Sequence, residues 1–232
     1  MLLQLPTLLS ASELAQARLW LADEAAWIDG RSTAGGQAMG QKNNRQLRQN
    51  SAQAGPLQAL ILAALQRQPL FFSAALPKRI LPPLFNRYGG SHNAYGPHFD
   101  GAMLKWPDSP AQAPQWLRSD LSCTVFLSEP GDYDGGALRV HDNGGDRDIK
   151  LSAGDAVLYP ANRVHEVTPV TRGERLAAFF WVESMVRSEE QRRLLFELDM
   201  NLLKLRSQLG DTAETTALTG VYHNLLRQWA QG

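Results

Sequence analysis

Ser10 stands three residues ahead of Glu13 and opens the stretch SASELAQARLWLADEAAW, in which Leu14, Ala17, Arg18 and Leu21 recur at helical spacing. The capping-box pattern and the 3.6-residue period predict a first amphipathic helix. Residues 29–55 carry few large apolar side chains and several glycines, so they read as a long loop that buries little surface. PLQALILAALQRQ, with Pro56 in its first turn, predicts a second, well-buried helix. From residue 79 the period changes. Short apolar runs separated by Gly, Pro, Asn and Asp clusters predict strands in PLFNRY, HFDGAML, LSCTVFLS, GALRV, DIKL, DAVLY, RVHEVTPV and RLAAFFWVES. HDNGGDRD reads as the turn between two of them.

After Val186 the helical period returns. Leu195, Leu198, Leu202, Leu205 and Leu209 fall on one stripe, Gly210 stops the run, and VYHNLLRQWA predicts one more helix. The stripe either packs on the protein's own sheet or forms a subunit interface, which would make a homo-oligomer through the C-terminal helices. The expected class is α+β with a mainly β core: a double-stranded β-helix (jelly roll) of about eight short strands flanked by helices. Residues 1–78 form an N-terminal helical region packing on the core, 79–186 the jelly-roll core, and 187–232 a C-terminal helical extension.

Composition removes several partners. Twenty-three basic and 23 acidic residues give zero formal charge, so no whole-chain field draws the protein to nucleic acid. No apolar run reaches the roughly 18 residues that a membrane span needs. The opening MLLQLPTLLSASELAQ lacks a basic flank and is broken by Pro6, so it does not read as a signal peptide. Cys123, alone in the chain, sits in the apolar run LSCTVFL and fits a reducing compartment, hence a cytoplasmic expectation.

The chemistry starts at YGPHFDGAML. On an extended strand, side chains at i and i+2 share a face, so His98 and Asp100 would offer an imidazole and a carboxylate side by side. A lone His-x-Asp carries little weight, but His165 in NRVHEV supplies a second imidazole. Two histidines and one carboxylate are the set that binds Fe(II) on one face and leaves other positions open; catalytic zinc accepts the same ligands. Arg175, at the head of the apolar strand RLAAFFWV, favours iron. An oxygenase that uses 2-oxoglutarate needs a cation for the distal carboxylate, and a guanidinium meets a carboxylate with two parallel hydrogen bonds. An arginine snorkelling from a strand end to water is the plain alternative. A hairpin joining RVHEVTPV directly to RLAAFFWV would point His165 and Arg175 to opposite faces, so the two strands are expected in opposite sheets, both facing inward.

At these residues the chain resembles the PKHD-type hydroxylases, bacterial Fe(II)/2-oxoglutarate dioxygenases related to prolyl hydroxylases. NRYGGSHNAYGPHFD, RSDLSCTVFLSEPGDYDGGALRV, IKLSAGDAVLYPANRVHEVTPVTRGERLAAFFWVESMVR, QRRLLFELD and GVYHNLLRQW carry the resemblance in order along nearly the whole length. It implies that His98, Asp100 and His165 are iron ligands and that Arg175 binds 2-oxoglutarate. It also implies that Tyr88, in the pattern Y-x6-Y-x2-H-x-D, donates its hydroxyl to that cosubstrate. The implied reaction uses O2, releases succinate and carbon dioxide, and hydroxylates a small-molecule or peptide-like substrate, with L-ascorbate rescuing oxidised iron. The family's link to bacterial iron uptake suggests a siderophore-like substrate. Where the family carries Asn after the metal aspartate, this chain has Gly101. A metal-binding jelly-roll sensor without oxygen chemistry and a zinc hydrolase on a similar fold are the competing readings.

Among the other side chains, His92 is expected as a solvated loop residue, His141 as part of a turn, and His223 on a helix surface. Residues 105–119 read either as a lid in which Trp106 or Trp116 meets substrate or as a long loop anchored by its hydrophobic side chains. DYDGG at 132–136 reads as a turn.

Overall fold

Two antiparallel sheets face each other across the inward side chains of the alternating runs. The computed structural model describes residues 1–22, 25–33, 39–107, 109–142 and 144–231. The chain begins with β1 (Leu3–Leu5) and α1 (Ala11–Trp20), then β2 (Trp27–Asp29), β3 (Lys42–Asn43) and β4 (Arg45–Leu47) ahead of α2 (Ala54–Gln66) and α3 (Pro69–Ala75). β5 (Pro77–Ile80), β6 (Leu84–Tyr88) and β7 (Ala94–His98) follow, then β8 (Met103–Lys105) and β9 (Trp116–Arg118). β10 (Leu121–Phe126), β11 (Tyr133–Gly135), β12 (Leu138–Val140) and β13 (Arg147–Ile149) lead to β14 (Ala156–Pro160), β15 (His165–Val167), β16 (Val170–Gly173) and β17 (Arg175–Ser184). Two helices, α4 (Glu189–Leu209) and α5 (Ala213–Trp229), come last.

The large sheet runs β1-β14-β10-β17-β6-β4-β2, with β5 also on β17, and the small sheet runs β13-β12-β15-β7-β3. β15 and β17 therefore lie in opposite sheets, as the facing argument requires. β16, between them in sequence, leaves both sheets to pair with β11. That side pairing depends on Gly135, whose φ is +69° and where a Cβ would fall 2.0 Å from Pro169 O; only glycine tolerates both.

Along β17 the period of two separates the layers. Leu176, Ala178, Phe180 and Val182 join Leu57, Ile61 and Leu65 of α2 in the main core, while Arg175, Phe179 and Trp181 face the cavity between the sheets. With helices on one face and the second sheet on the other, β10 is buried along its whole length. That explains why LSCTVF is mainly apolar, its Ser122 and Thr124 lining the cavity.

Ser10 caps α1 as expected: its hydroxyl accepts from Glu13 N, and the Glu13 carboxylate accepts from Ser10 N. α1 ends at Trp20, sooner than its apolar pattern suggested.

Several expectations need correction. The N-terminal region is not helical alone. β1 pairs with β14, β2 and β4 extend the large sheet, and β3 extends the small one. Residues 29–55, read as a long loop, contain β3, β4 and a 3-10 turn at Gly30–Thr33; residues 34–38 lie outside the described residues. Strand pairing satisfies backbone groups whatever the side chains, so a polar sequence can complete a sheet edge without showing an apolar period.

The leucine stripe of α4 does not pack on the sheet. Leu195 and Leu202 form a separate cluster with Leu76, Val186 and Tyr222, so α4 rests on α5 and on the end of α3. Gly210 ends α4 with φ +73°.

Candidate functional site

β7 and β15 are neighbours in the small sheet, and their register sets His165 directly across from His98. The two imidazole centroids are 4.3 Å apart. β7 ends at His98, so Asp100 is not delivered by strand alternation. It comes from the coil that follows, and Ser122 on β10 holds it by donating its hydroxyl to Oδ2 at 2.6 Å. One ligand atom from each of His98, Asp100 and His165 lies within 4.8 Å of the others. Small side-chain rotations bring such a trio to the roughly 2.0–2.2 Å bond lengths of a first-row divalent ion.

The ring tautomers suit an ion as well. His98 Nδ1 lies 2.8 Å from Gly96 O and His165 Nδ1 3.1 Å from Arg163 O. A carbonyl only accepts, so each Nδ1 carries the proton and each Nε2 keeps its lone pair for the site. Tyr95 stacks on His98 at 3.6 Å, and Tyr159 meets His165 edge-on at 5.3 Å. Ser122 holds Asp100 through that bond, so Ser122→Ala is expected to weaken metal binding by about 10- to 100-fold with the fold intact. Competition against a chelating dye checks it.

Burial first, and then the neighbouring His165, lower the His98 pKa to about 4. An unfolded histidine binds its proton near 6.5, so between those values the unfolded chain carries the extra proton. Metal-free protein is therefore expected to lose stability as pH falls from about 6.5 to about 4, and no further from this group below that. Urea midpoints across this range for wild type and His98→Gln measure it, and the variant should show the shallower dependence.

Arg175 stands opposite Tyr88 in the β6–β17 register. Its side chain is 1% exposed, and its guanidinium carbon lies 5.3 Å from the ring centroids of both Tyr88 and Phe126. Nε and Nη1 have no hydrogen-bond partner among the described residues. The arginine does not snorkel to water. A buried cation with unused donors fits an anionic ligand, and the planar fork fits a carboxylate.

Arg175, Tyr88 and the metal-type trio line one cavity of about 490 Å³, within the range of small-molecule sites. Phe99 and Met103, both exposed, lie on its rim, and Phe179 and Trp181 form part of its wall. Trp106, Trp116 and His92 are not among its lining residues, so β8, β9 and the segment joining them do not bring a tryptophan to it. His141 bonds Asp146 at 2.8 Å beside the β12–β13 turn, and His223 is exposed on α5. A Cβ at Gly101 would meet Leu104 Cδ2 at 3.3 Å.

Several cavity residues escaped the reading of the sequence, Ser122, Lys42 and Asn44 among them. Ser122 hid in an apolar run. Lys42 and Asn44 lie in KNNRQ, inside the segment read as loop. Lys42 is 6% exposed, donates to Gln46 Oε1 at 3.0 Å, and sits 5.4 Å from the Tyr95 ring. Burial lowers its pKa to about 8 against the pull of Asp100. A buried lysine in a polar segment has no signature of its own; only pairing of β3 with β7 carries it inside.

The 2OG-Fe(II) oxygenase superfamily matches residues 83–183, and the PKHD-type hydroxylase C-terminal domain matches residues 189–231. Among solved structures, HygX from Streptomyces hygroscopicus, crystallised with nickel and 2-oxoglutarate, aligns over 79% of this chain and 82% of its own, with a TM-score of 0.54 at 15% identity. A Trichoplax adhaerens prolyl hydroxylase in complex with a hypoxia inducible factor peptide fragment aligns over 84% and 86%, with a TM-score of 0.52 at 14% identity. Identities this low speak for a shared jelly-roll fold alone. A PKHD-type hydroxylase of Verminephrobacter eiseniae is 55% identical over 230 residues, 99% of each chain. Identity of that order over the full length settles the family: this chain belongs to the PKHD-type hydroxylases, enzymes of the 2OG-Fe(II) oxygenase type.

Proposed function

We propose that the protein binds Fe(II) through His98, Asp100 and His165, and binds 2-oxoglutarate through Arg175 and Tyr88. With O2 it hydroxylates a small-molecule or peptide-like substrate and releases succinate and carbon dioxide. The observation that carries this reading is the buried Arg175 guanidinium with unused donors in the same cavity as the three-ligand cluster. A metal sensor has no use for a second, carboxylate-shaped anchor there, and neither has a zinc hydrolase.

The iron and its 2-oxo acid supply the oxidising chemistry when bound; the chain supplies placement and shelter. His98 and His165 keep Nε2 unprotonated through their Nδ1 bonds to carbonyls. Ser122 orients Asp100. Arg175 fixes the distal carboxylate, and the Tyr88 hydroxyl, which burial keeps protonated by raising its pKa, donates to it. The apolar rim at Phe99 and Met103 suits a substrate with an apolar portion and limits water at the centre.

A siderophore-like substrate linked to iron uptake, a rescue role for ascorbate and a cytoplasmic setting belong to the same reading. The buried thiol of Cys123 supports a reducing compartment.

Anaerobic addition of Fe(II) and 2-oxoglutarate to folded protein tests the core of it. A weak visible charge-transfer band is expected, and its absence sinks the assignment. A metabolite screen scored by substrate-stimulated succinate then identifies what is hydroxylated.

A further inference from the structure

Several buried polar side chains crowd the Arg175 end of the cavity with hydrogen-bonding capacity left over. Asn44 is 1% exposed, yet neither Nδ2 nor Oδ1 has a hydrogen-bond partner among the described residues. Asn86 Oδ1 and two nitrogens of Arg175, on the same cavity, are in the same condition. Desolvating such atoms without pairing them is costly, and buried polar groups are otherwise satisfied almost everywhere in folded proteins. A ligand with acceptor atoms accounts for the unused donors among them, Asn44 Nδ2 and the two Arg175 nitrogens.

Asn44 sits where the chain crosses between layers. β3, just before it, pairs with β7 in the small sheet, and β4, just after it, pairs with β6 in the large sheet. Its side chain lines the same cavity as Arg175. Burial raises the Tyr88 pKa, and Arg175 first and then Asn44 act against that rise. Gly30 backs Asn44 from behind: its N–H donates to Asn44 O at 2.9 Å, and a Cβ there would fall 1.8 Å from Asn44 Oδ1.

We propose that Asn44 is a further cosubstrate-binding residue, donating from Nδ2 to the distal carboxylate of 2-oxoglutarate beside Arg175 and Tyr88. The inference rests on the assignment of 2-oxoglutarate as cosubstrate. A carboxylate offers about four lone-pair sites. The Arg175 fork takes two, the Tyr88 hydroxyl a third, and the Asn44 amide the fourth.

The test is an anaerobic titration of the Fe(II)-loaded full chain, read by the charge-transfer band. It uses two probes: 2-oxoglutarate, and pyruvate, a 2-oxo acid with the same chelating end and no distal carboxylate. Asn44→Ala is expected to raise the 2-oxoglutarate Kd about 10-fold or more while Fe(II) and pyruvate affinities stay as in wild type. Asn44→Asp, which sets a carboxylate against the ligand's own, should weaken 2-oxoglutarate further. Gly30→Ala leaves Asn44 in the chain but displaces its amide. It should act in the same direction, and should add nothing in an Asn44→Ala background. It also keeps the inference testable if Asn44→Ala fails to fold.

Equal losses for both probes, or a 2-oxoglutarate Kd unchanged in both Asn44→Ala and Gly30→Ala, overturn the role of Asn44 alone. A wild-type protein that gives no band with either acid overturns the cosubstrate assignment and the inference with it.

Discussion

Arg175→Met is expected to raise the melting temperature of cosubstrate-free protein by several degrees while weakening 2-oxoglutarate binding by roughly two to three and a half orders of magnitude. The two effects have one cause. In the free protein the guanidinium is buried between Tyr88 and Phe126 with unused donors, and an incompletely paired buried charge opposes folding. Replacing buried ionic groups by apolar ones of similar size is often neutral or stabilising by about 1–4 kcal/mol. In a protein of this size each kcal/mol moves the midpoint by about 2–4 °C.

Once the cosubstrate carboxylate is in place the balance reverses. Removing one partner of a desolvated pair costs about 3–5 kcal/mol, which gives the affinity loss. Thermal melts without ligand and charge-transfer titrations with it read the two halves separately. Arg175→Lys should fall between, since it keeps the charge and loses the fork. A variant with wild-type 2-oxoglutarate affinity would remove Arg175 from the cosubstrate site, and a lowered melting temperature would show that the guanidinium supports the empty fold.

Asp100→Ala is expected to weaken Fe(II) binding by more than about 100-fold, beyond the range typical of losing an outer partner, and to abolish the charge-transfer band at ordinary iron concentrations. Asp100 is the one carboxylate of the trio, and without it two neutral imidazoles remain. The fold should survive, because Asp100 lies in the coil after β7, where its carboxylate accepts a hydrogen bond from Ser122. Thermal shift makes the contrast visible. A ligand at 100 times its Kd adds about 2.7 kcal/mol of apparent stability, so wild type should melt higher on addition of metal and Asp100→Ala should not. Retention of the shift in the variant would mean that the ion is held elsewhere.

The jelly roll was legible because a half-buried strand must alternate and a doubly covered one must be apolar throughout. LSCTVF and RLAAFFWV follow those rules except at Ser122, Thr124 and Arg175, which line the cavity, and became β10 and β17. The opposite-sheet placement of His165 and Arg175 followed from parity of residue count together with the requirement that both side chains face inward. Ser10 and Glu13 gave away the start of α1, since capping is a local bargain between neighbours. The segment around Lys42 and Asn44 was opaque for the converse reason. Its strands are made by backbone pairing to β7 and β6, and a backbone leaves no periodic trace in side chains.

The amino-acid sequence determined, by itself, most of the core strands, the main helices and which side chains had the chemistry for a metal and a carboxylate, because those properties belong to single residues and their near neighbours. Only the tertiary structure decided that His98 faces His165, that Ser122 rather than strand alternation aims Asp100, and that Asn44 joins Arg175 in one cavity. Each of those contacts links residues far apart along the chain, and their distance is set by sheet register and layer packing, which no local pattern encodes.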